Sequence, residues 1–373
     1  MGTIKQNLAN NIETSGTFDA KDLTGTIPAT NIANSSLSDI VTVPSSASGG
    51  DLIQTVASDP PAPSFGDVWY NSTEQKVKTV GLTTASWASG GNLSTAREQV
   101  GSTGIQTAAL AAGGETGPGG SNTTNSEEYD GSTWTAGGAI PIAVGGLGVS
   151  GTQTAAVAGG GEGPPGPSYT TQALTYEYNG TSWSPTNNLN TGRYRFGTAG
   201  TQTAGLFFGG NSPNLGATEE YDGTSWTNSN NLILGRFSQG GDGIQTAAIA
   251  FAGSAPSVPG NTGATEGYDG TSWTTLSGNL NTVRSALGGV GTQTSALGFG
   301  GAIPPSANSA ATEEYDGSSW TTSSASLSTA RTQLGGAGTS SSALAFGGYT
   351  TTRVAVTEEY TGAAPVVRSI QGS

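Results

Sequence analysis

The chain has 373 residues, of which 61 are Gly, 17 Pro and none Cys or His; a tenth are charged, and the formal net charge is −14. That balance excludes a disulfide framework and thiolate or imidazole metal centres, and it leaves no basic patch for phosphates or an anionic membrane surface. Hydrophobic content is 33%, yet the apolar residues recur in regular clusters with Trp and Tyr, which points to a repetitive all-β protein rather than to disorder.

Residues 1–64 stand apart from the rest of the chain. No apolar run in MGTIKQNLANNIETSG has signal-peptide length, and no stretch of the chain nears the roughly 18 apolar residues of a membrane span; the expectation is synthesis in a cytoplasm without Sec export and no membrane insertion. Short apolar marks separated by Thr, Asn and Gly predict extended, fibrous β structure that needs partners to bury itself. A Gly/Ser/Pro linker ending in PPAPSFG comes next. The stretch DLTGTIPATNIANSSL resembles segments of bacteriophage tail-fibre and virion-attachment proteins, and GDVWYNSTEQKVK (66–78) is similar to a short hairpin that recurs in phage structural proteins. The resemblance implies a virion component assembled in the host cytoplasm, with residues 1–64 docking on other virion proteins and 65–373 displayed outward. A fibrous N-terminus implies a homotrimer.

Beyond the linker the chain repeats. Trp87, Trp134, Trp183, Trp226, Trp273 and Trp320 are spaced by 47, 49, 43, 47 and 47 residues, a period of propeller-blade length. Each unit runs Arg, a Gly-rich stretch, GTQTAA, an apolar run ending in Gly-Gly, a variable loop, then EEYDG with SW after it, as in TEEYDGSSWTTS (312–323). The apolar runs read as strands, and Asp-Gly, or Asn179-Gly180 in one copy, predicts a type I′ hairpin turn with positive φ. A unit is therefore a four-stranded meander, the blade of a β-propeller. The predicted fold is all-β, a six-bladed propeller in which the strand around Trp87 completes the unit begun at Arg331; seven blades, with 77–87 as a half blade, is the alternative count. Gly-Gly after an apolar strand, with Tyr and Trp at fixed spacing, resembles a kelch-type propeller over about 67–361.

The motif itself offers carboxylate pairs, but a catalytic pair is needed once and this one recurs in nearly every unit, and no D-x-D-x-D calcium loop is present. No catalytic, cofactor or metal residue is assigned, and nucleic acid is not an expected partner. The repeats instead carry a correlated exception. Arg97, Arg193, Arg236, Arg284 and Arg331 precede the Gly-rich strand, and Glu127, Glu219, Glu266, Glu313 and Glu358 stand two before the Tyr; the second unit has Val144 and Tyr176 in these places. Loss of base and acid together predicts Arg193–Glu219, Arg236–Glu266, Arg284–Glu313 and Arg331–Glu358 pairs that pin the first strand to the third. The second carboxylate of each motif, such as Glu128, Glu177 or Glu314, should then face outward, and the Tyr and Trp should wedge between blades.

Function is expected where units differ. The loops between second and third strands, 115–126, 161–175, 211–218, 254–265 and 302–312, vary most and should ring one mouth of a central channel. Candidate contacts there are Asn122, Asn125, Glu162, Tyr169, Asn211, Asn214, Asn261, Asn308 and Tyr349. The expected function is a tail fibre or receptor-binding appendage that meets a host-surface glycan or protein. A capsid decoration or adaptor protein is the first alternative. A glycan-degrading enzyme is the second; it would need an acidic pair confined to one unit, and Glu115 and Glu162, the only loop acids, read as isolated.

Overall fold

A computed structural model describes residues 54–64, 67–117, 121–163, 170–211, 215–258 and 260–370. Most of the attachment segment, Tyr169 and Asn214 lie outside these residues. Among them there is no helix, and the chain divides into two compact units, one holding 54–84 with 363–370 and the other 85–362.

In the smaller unit, Gln54–Val56 pairs in parallel with Val68–Asn71, which forms a hairpin with Lys76–Leu82, and Pro365–Ile370 adds to the far edge. Residues 67–84 and 363–370, which the sequence assigns to the repeat domain, thus belong to a separate sheet. Asp59 organises it: its carboxylate accepts from Trp69 Nε1 at 3.0 Å, Asn71 Nδ2 at 2.8 Å and Lys78 Nζ at 2.8 Å. These bonds, the Lys78 one foremost, hold the Asp59 carboxyl down at about 2.

The larger unit is a propeller-like all-β array of six four-stranded antiparallel sheets. The first contains Gly101–Ile105, Ala108–Ala112, Ser126–Tyr129 and Trp134–Ala136. The next four repeat this order. In the sixth, Gly335–Thr339, Ser342–Phe346 and Thr357–Thr361 take as their outer strand Ser86–Ser89, with Trp87 opposite Tyr360.

The innermost strands are Gly-rich because there is no room for more. A Cβ on Gly288 would lie 2.3 Å from the Phe299 ring, far inside contact distance. The hairpin turns correct the type I′ expectation: Gly317 has φ +92°, but Asp316 keeps an ordinary φ. Its carboxylate instead accepts the N–H groups of Ser318 and Ser319, each at 2.8 Å, an Asx-type cap. Asn179 Oδ1 caps its own turn the same way, at 3.0 and 2.9 Å.

The Arg and Glu of each unit meet inside the sheet. Nitrogen–oxygen distances are 2.8 Å for Arg97–Glu127, 2.5 Å for Arg193–Glu219, 3.1 Å for Arg236–Glu266 and Arg284–Glu313, and 2.6 Å for Arg331–Glu358. All five arginines have no solvent exposure. Such burial needs compensation, and it is supplied in part: terminal guanidinium nitrogens of each arginine reach carbonyls or the carboxylate, whereas Nε of Arg97, Arg236, Arg284 and Arg331 makes no hydrogen bond. Arg97 also donates to the carbonyls of Gly113 and Asn125, and the second oxygen of Glu127 accepts the Ser94 N–H at 2.8 Å. In the second sheet Val144 and Tyr176 join an apolar cluster with Ile140 and Leu147 instead.

Three further kinds of side-chain bond join a sheet to the one before it, each present at most of the joints. Gln153 Nε2 donates to the carbonyls of Ala109 and Tyr129, and Gln106, Gln202, Gln245 and Gln293 repeat this on their own neighbours. This gives GTQTAA its structural meaning. Tyr178 OH donates to Glu128 at 2.5 Å, Tyr221 to Glu177 at 2.6 Å and Tyr360 to Glu314 at 2.6 Å. The second glutamates, expected to be merely outward-facing, are therefore links between sheets. Burial foremost, and then the glutamate bond, push Tyr178 and Tyr221 up to about 12. Where Gly267 replaces that glutamate, Tyr315 turns to the Ser277 carbonyl at 3.0 Å. Finally, Trp134, Trp183, Trp273 and Trp320 donate Nε1 to a Thr or Ser of the preceding sheet at 2.9–3.0 Å. Three of these rings, Trp134, Trp273 and Trp320, stack on that sheet's Phe at 4.7–4.8 Å. The second sheet has Gly159 at the Phe position, and Phe207 of the third fills the space, 4.5 Å from Trp226.

Two predictions come from these internal exceptions. Arg284→Ala strands a buried carboxylate and should lower stability by about 3–5 kcal/mol, whereas the pair Arg284→Val with Glu313→Tyr, copying the second sheet, should recover most of the loss; urea unfolding midpoints of the two variants decide it. The Asp316 carboxyl is held at about 2 by its Ser318 and Ser319 bonds, below its ordinary 3.8. Its contribution is therefore present above about pH 4 and lost as pH falls through 2. Asp316→Asn should leave stability at pH 7 nearly unchanged, as Asn179 shows is structurally feasible, and should flatten the acid limb of the melting temperature against pH.

Candidate functional site

The six innermost strands of the larger unit line a cavity of about 310 Å³. Side chains on these strands bridge to their neighbours across it. Thr103 Oγ1 donates to the Gly151 carbonyl at 2.7 Å, Thr198 Oγ1 to that of Val149 at 2.9 Å, and Ser102 Oγ accepts the Gly336 N–H at 3.1 Å. Asp242 does the same work with a carboxylate: Oδ2 accepts the Gly291 N–H at 2.7 Å and Oδ1 that of Gly243 at 2.8 Å. Two amide donors do not offset its desolvation inside the cavity, and its carboxyl is pushed up to about 7.

At one end of the cavity the backbone changes hand. Gln99, Arg195, Ser238, Ala286 and Gln333 have φ of 53–56°, and Gly146 has 67°. A left-handed φ costs a non-glycine residue about 1–2 kcal/mol, and here it aims each N–H sideways at the equivalent residue of the preceding sheet. Gly146 donates to Gln99, Arg195 to Gly146, Ser238 to Arg195, Ala286 to Ser238, Gln333 to Ala286 and Gln99 to Gln333, all at 2.7–2.9 Å.

Just outside this ring, antiparallel bridges join each linker to the start of the variable loop: Glu98 to Glu115, Gly145 to Glu162, Tyr194 to Asn211, Phe237 to Ser254, Ser285 to Ala302 and Thr332 to Tyr349. The rim is one-sided. The fourth and fifth sheets offer only Phe237, Ser254, Ser285 and Ala302, whereas the first three bring charge and the sixth adds Arg353. There a continuous polar chain runs along the mouth. Arg195 Nε donates to Gln99 Oε1 at 3.0 Å, Gln99 Nε2 to Glu115 Oε2 at 2.9 Å, and Arg353 Nη2 binds Glu115 and, at 2.8 Å, Glu98. Gln333 Nε2 completes it on Glu98 Oε2 at 2.9 Å. Desolvation raises the Glu98 carboxyl and, at the next rim position, that of Glu162, each against the field of nearby arginines.

The residues expected to make contacts fare differently. The carboxamides of Asn122, Asn261 and Asn308 donate to backbone carbonyls of the following sheet, at 2.6, 3.0 and 2.9 Å, so they hold sheets together. Asn211 Nδ2 donates to Tyr194 OH at 2.5 Å. Asn125 is exposed, while Glu162 and Tyr349 are half-buried on the rim. Glu115 and Glu162, read as isolated acids, lie on adjacent rim positions, and Glu98 and Arg353 stand beside Glu115. Glu98, Gln99, Arg195, Gln333 and Arg353 carry no repeated motif, and only alignment of the units on their buried arginine exposes them as departures. Gln239 is another: its equivalents are Val100, Leu147, Phe196, Leu287 and Leu334.

No family model and no curated protein matches the chain.

The cavity carboxyl gives a third prediction. Its folded value of about 7 lies above the unfolded 3.8, so the neutral acid is favoured by folding; that stabilisation is complete below about pH 4 and is lost as pH rises through 7. Asp242→Asn should match the parent near pH 4 and melt higher at pH 8. A melting-temperature difference independent of pH would refute the assignment.

Proposed function

We propose that the chain is a structural component of a bacteriophage virion, of tail-fibre or appendage type, which displays a six-bladed, kelch-like propeller for recognition of a host surface. The propeller part of this reading rests on hydrogen bonds that run from sheet to sheet in one sense and return: Gln99 donates to Gln333, Tyr129 to Glu359, and Ser86–Ser89 supplies the last sheet's outer strand. A closed ring removes the exposed strand edges that invite aggregation.

The observation that supports recognition is the one-sided rim. Repetition accounts for most features of the sheets and their joints, yet the mouth departs from it in the first three sheets and the sixth, with Glu98, Glu115, Glu162, Arg195 and Arg353 gathered on the face that carries the variable loops. Repeat folds place their binding surfaces where such departures concentrate. Residues 1–64 would attach the chain to other virion proteins, and the loop face would meet a glycan or protein of the host.

Two measurements test this together. Immunogold labelling with antibody to residues 85–362 should mark the tail of particles that carry the chain, and the purified chain should compete with those particles for adsorption to cells. Label confined to the capsid with no competition favours the decoration or adaptor role; unlabelled particles overturn the virion assignment.

A further inference from the structure

In five of the six sheets a hairpin turn joins the third strand to the fourth. In the sixth, the outer strand Ser86–Ser89 comes from the start of the repeats and the other three strands from their end. The pairing of Trp87 with Tyr360 and of Ser86 with Thr361 is therefore a seam that no turn holds together. Closing so long a loop carries an entropic cost that a hairpin does not. Packing at the seam is also thinner: Trp87 is only partly buried, where Trp134, Trp183, Trp226, Trp273 and Trp320 are buried.

The ion pairs of the larger unit are distributed to match. The five Arg–Glu pairs each lie within one sheet. Among the described residues, the pairs that run between its sheets are Arg353–Glu98, at 2.8 Å, and Arg353–Glu115, and both cross this seam. Arg353 stands between the second and third strands of the sixth sheet, on the late side of the seam. On the early side, Glu98 lies on the linker that runs on from Ser86–Ser89, and Glu115 begins the variable loop of the first sheet. Both oxygens of each carboxylate are used, since Glu98 Oε2 accepts from Gln333 Nε2 and Glu115 Oε2 from Gln99 Nε2, each at 2.9 Å. On the other linkers the residue equivalent to Glu98 is Gly145, Tyr194, Phe237, Ser285 or Thr332, none of them charged. The three charged side chains are 6–16% exposed, buried enough for the pairs to stabilise and wet enough for salt to screen them.

We propose that Glu98, Glu115 and Arg353 form an ionic clasp that holds the ring shut at its seam, and that its release lets Ser86–Ser89 part from Thr357–Thr361 while the other five sheets stay folded. The inference rests on the closed ring proposed above and goes beyond the recognition reading, because it gives these three charges a role that needs no ligand. Proteins open in cooperative units ranked by local stability, and a short outer strand held by no turn ranks low. Without the Arg353 cation, Glu98 and Glu115 confront each other across their backbone bridge, and attraction across the seam gives way to repulsion.

The test is hydrogen exchange read by mass spectrometry on the full chain, comparing peptides from 86–89 and 357–361 with the equivalent strands 320–326 and 311–315 of the fifth sheet. Arg353→Gln should speed exchange at the seam about tenfold and leave the fifth sheet unchanged. Glu115→Gln, which keeps the Arg353–Glu98 pair, should give a smaller rise at the same peptides and replaces Arg353→Gln if that variant does not fold. Glu162→Gln, on the rim but outside the clasp, should change neither region. In the parent, raising sodium chloride from about 0.05 M to about 1 M should speed exchange at the seam, and Arg353→Gln should lose that response. Seam exchange indifferent to Arg353→Gln overturns the clasp, as does equal acceleration in every sheet. Exchange at 86–89 that is already as fast in the parent as in an unstructured peptide overturns the closed ring itself.

Discussion

A guanidinium without solvent exposure, closed on a carboxylate of the third strand, is the constraint on which the rest of the unit depends in five of the six sheets. Arg193 illustrates it. Its terminal nitrogens reach Glu219 and the carbonyls of Gly209 and Ala217, so the linker that carries it is tied both to the sheet and to the end of the variable loop. The next residue, Tyr194, then bridges to Asn211, and the one after, Arg195, takes its left-handed φ in the mouth ring. The buried ion pair thus sets the positions of the two residues that face solvent at the mouth. Stability alone does not require a charged pair, since apolar replacements of buried ion pairs are often no less stable. What it supplies here is direction, because a guanidinium fork with several carbonyl and carboxylate acceptors fixes a backbone more sharply than a methyl group does.

Between sheets the same economy of apolar surface applies. The second strands are built largely of Ala, Leu and Phe with Gly, and the outer strands show one Trp and little else to the interior. Area burial of this kind is modest, and specificity comes from hydrogen bonds made by Gln, Tyr and Trp to the preceding sheet. Each joint can lose one member. Gly267 removes a glutamate, Ser340 replaces a glutamine and bonds Ser295 Oγ at 2.7 Å instead, and Trp226 Nε1 goes without a partner. Losses fall at different joints, so no interface lacks all of them.

Much of this was legible in the sequence wherever a feature repeated. Trp spacing gave the unit length, and the joint exception of Val144 and Tyr176 paired Arg with Glu. What repetition could not convey was whether a bond lies within a unit or between units. Glu128 and Tyr178 are 50 residues apart, nearly the same register as Glu128 and its own neighbours one period on, and alternation along the strand says only that Glu128 points away from the sheet's interior. The hairpin turn was misjudged in detail because Asp-Gly serves both a type I′ turn and an Asx-capped one. PVVRSI at 365–370 pairs with Lys76–Leu82, nearly the whole chain away, and has no repeat signature to mark it as foreign to the units. At the mouth, Glu98 and Glu115 are separated by 17 residues and meet through a single bridge, which no periodicity encodes.

The second sheet shows how the ion pair and the mouth are coupled. With Val144 in place of Arg and Tyr176 in place of Glu, its linker is held by apolar packing, and the next two residues are Gly145 and Gly146. Neither carries a side chain to the mouth. Gly145 leaves room beside the Asn122 carboxamide, which a Cβ would approach to 2.9 Å, and Asn122 in turn binds the Glu162 carbonyl. Gly146 adopts the left-handed φ at no steric cost and closes the ring without adding a group of its own. The linker anchored by apolar packing carries no side chain to the mouth, while Arg97, Arg193 and Arg331 each precede a residue, Gln99, Arg195 or Gln333, whose side chain joins the polar chain there. Arg236 and Arg284 keep the same pair ahead of Ser238 and Ala286, so the buried charge aims the backbone of the ring, and the side chain presented there is chosen separately in each unit.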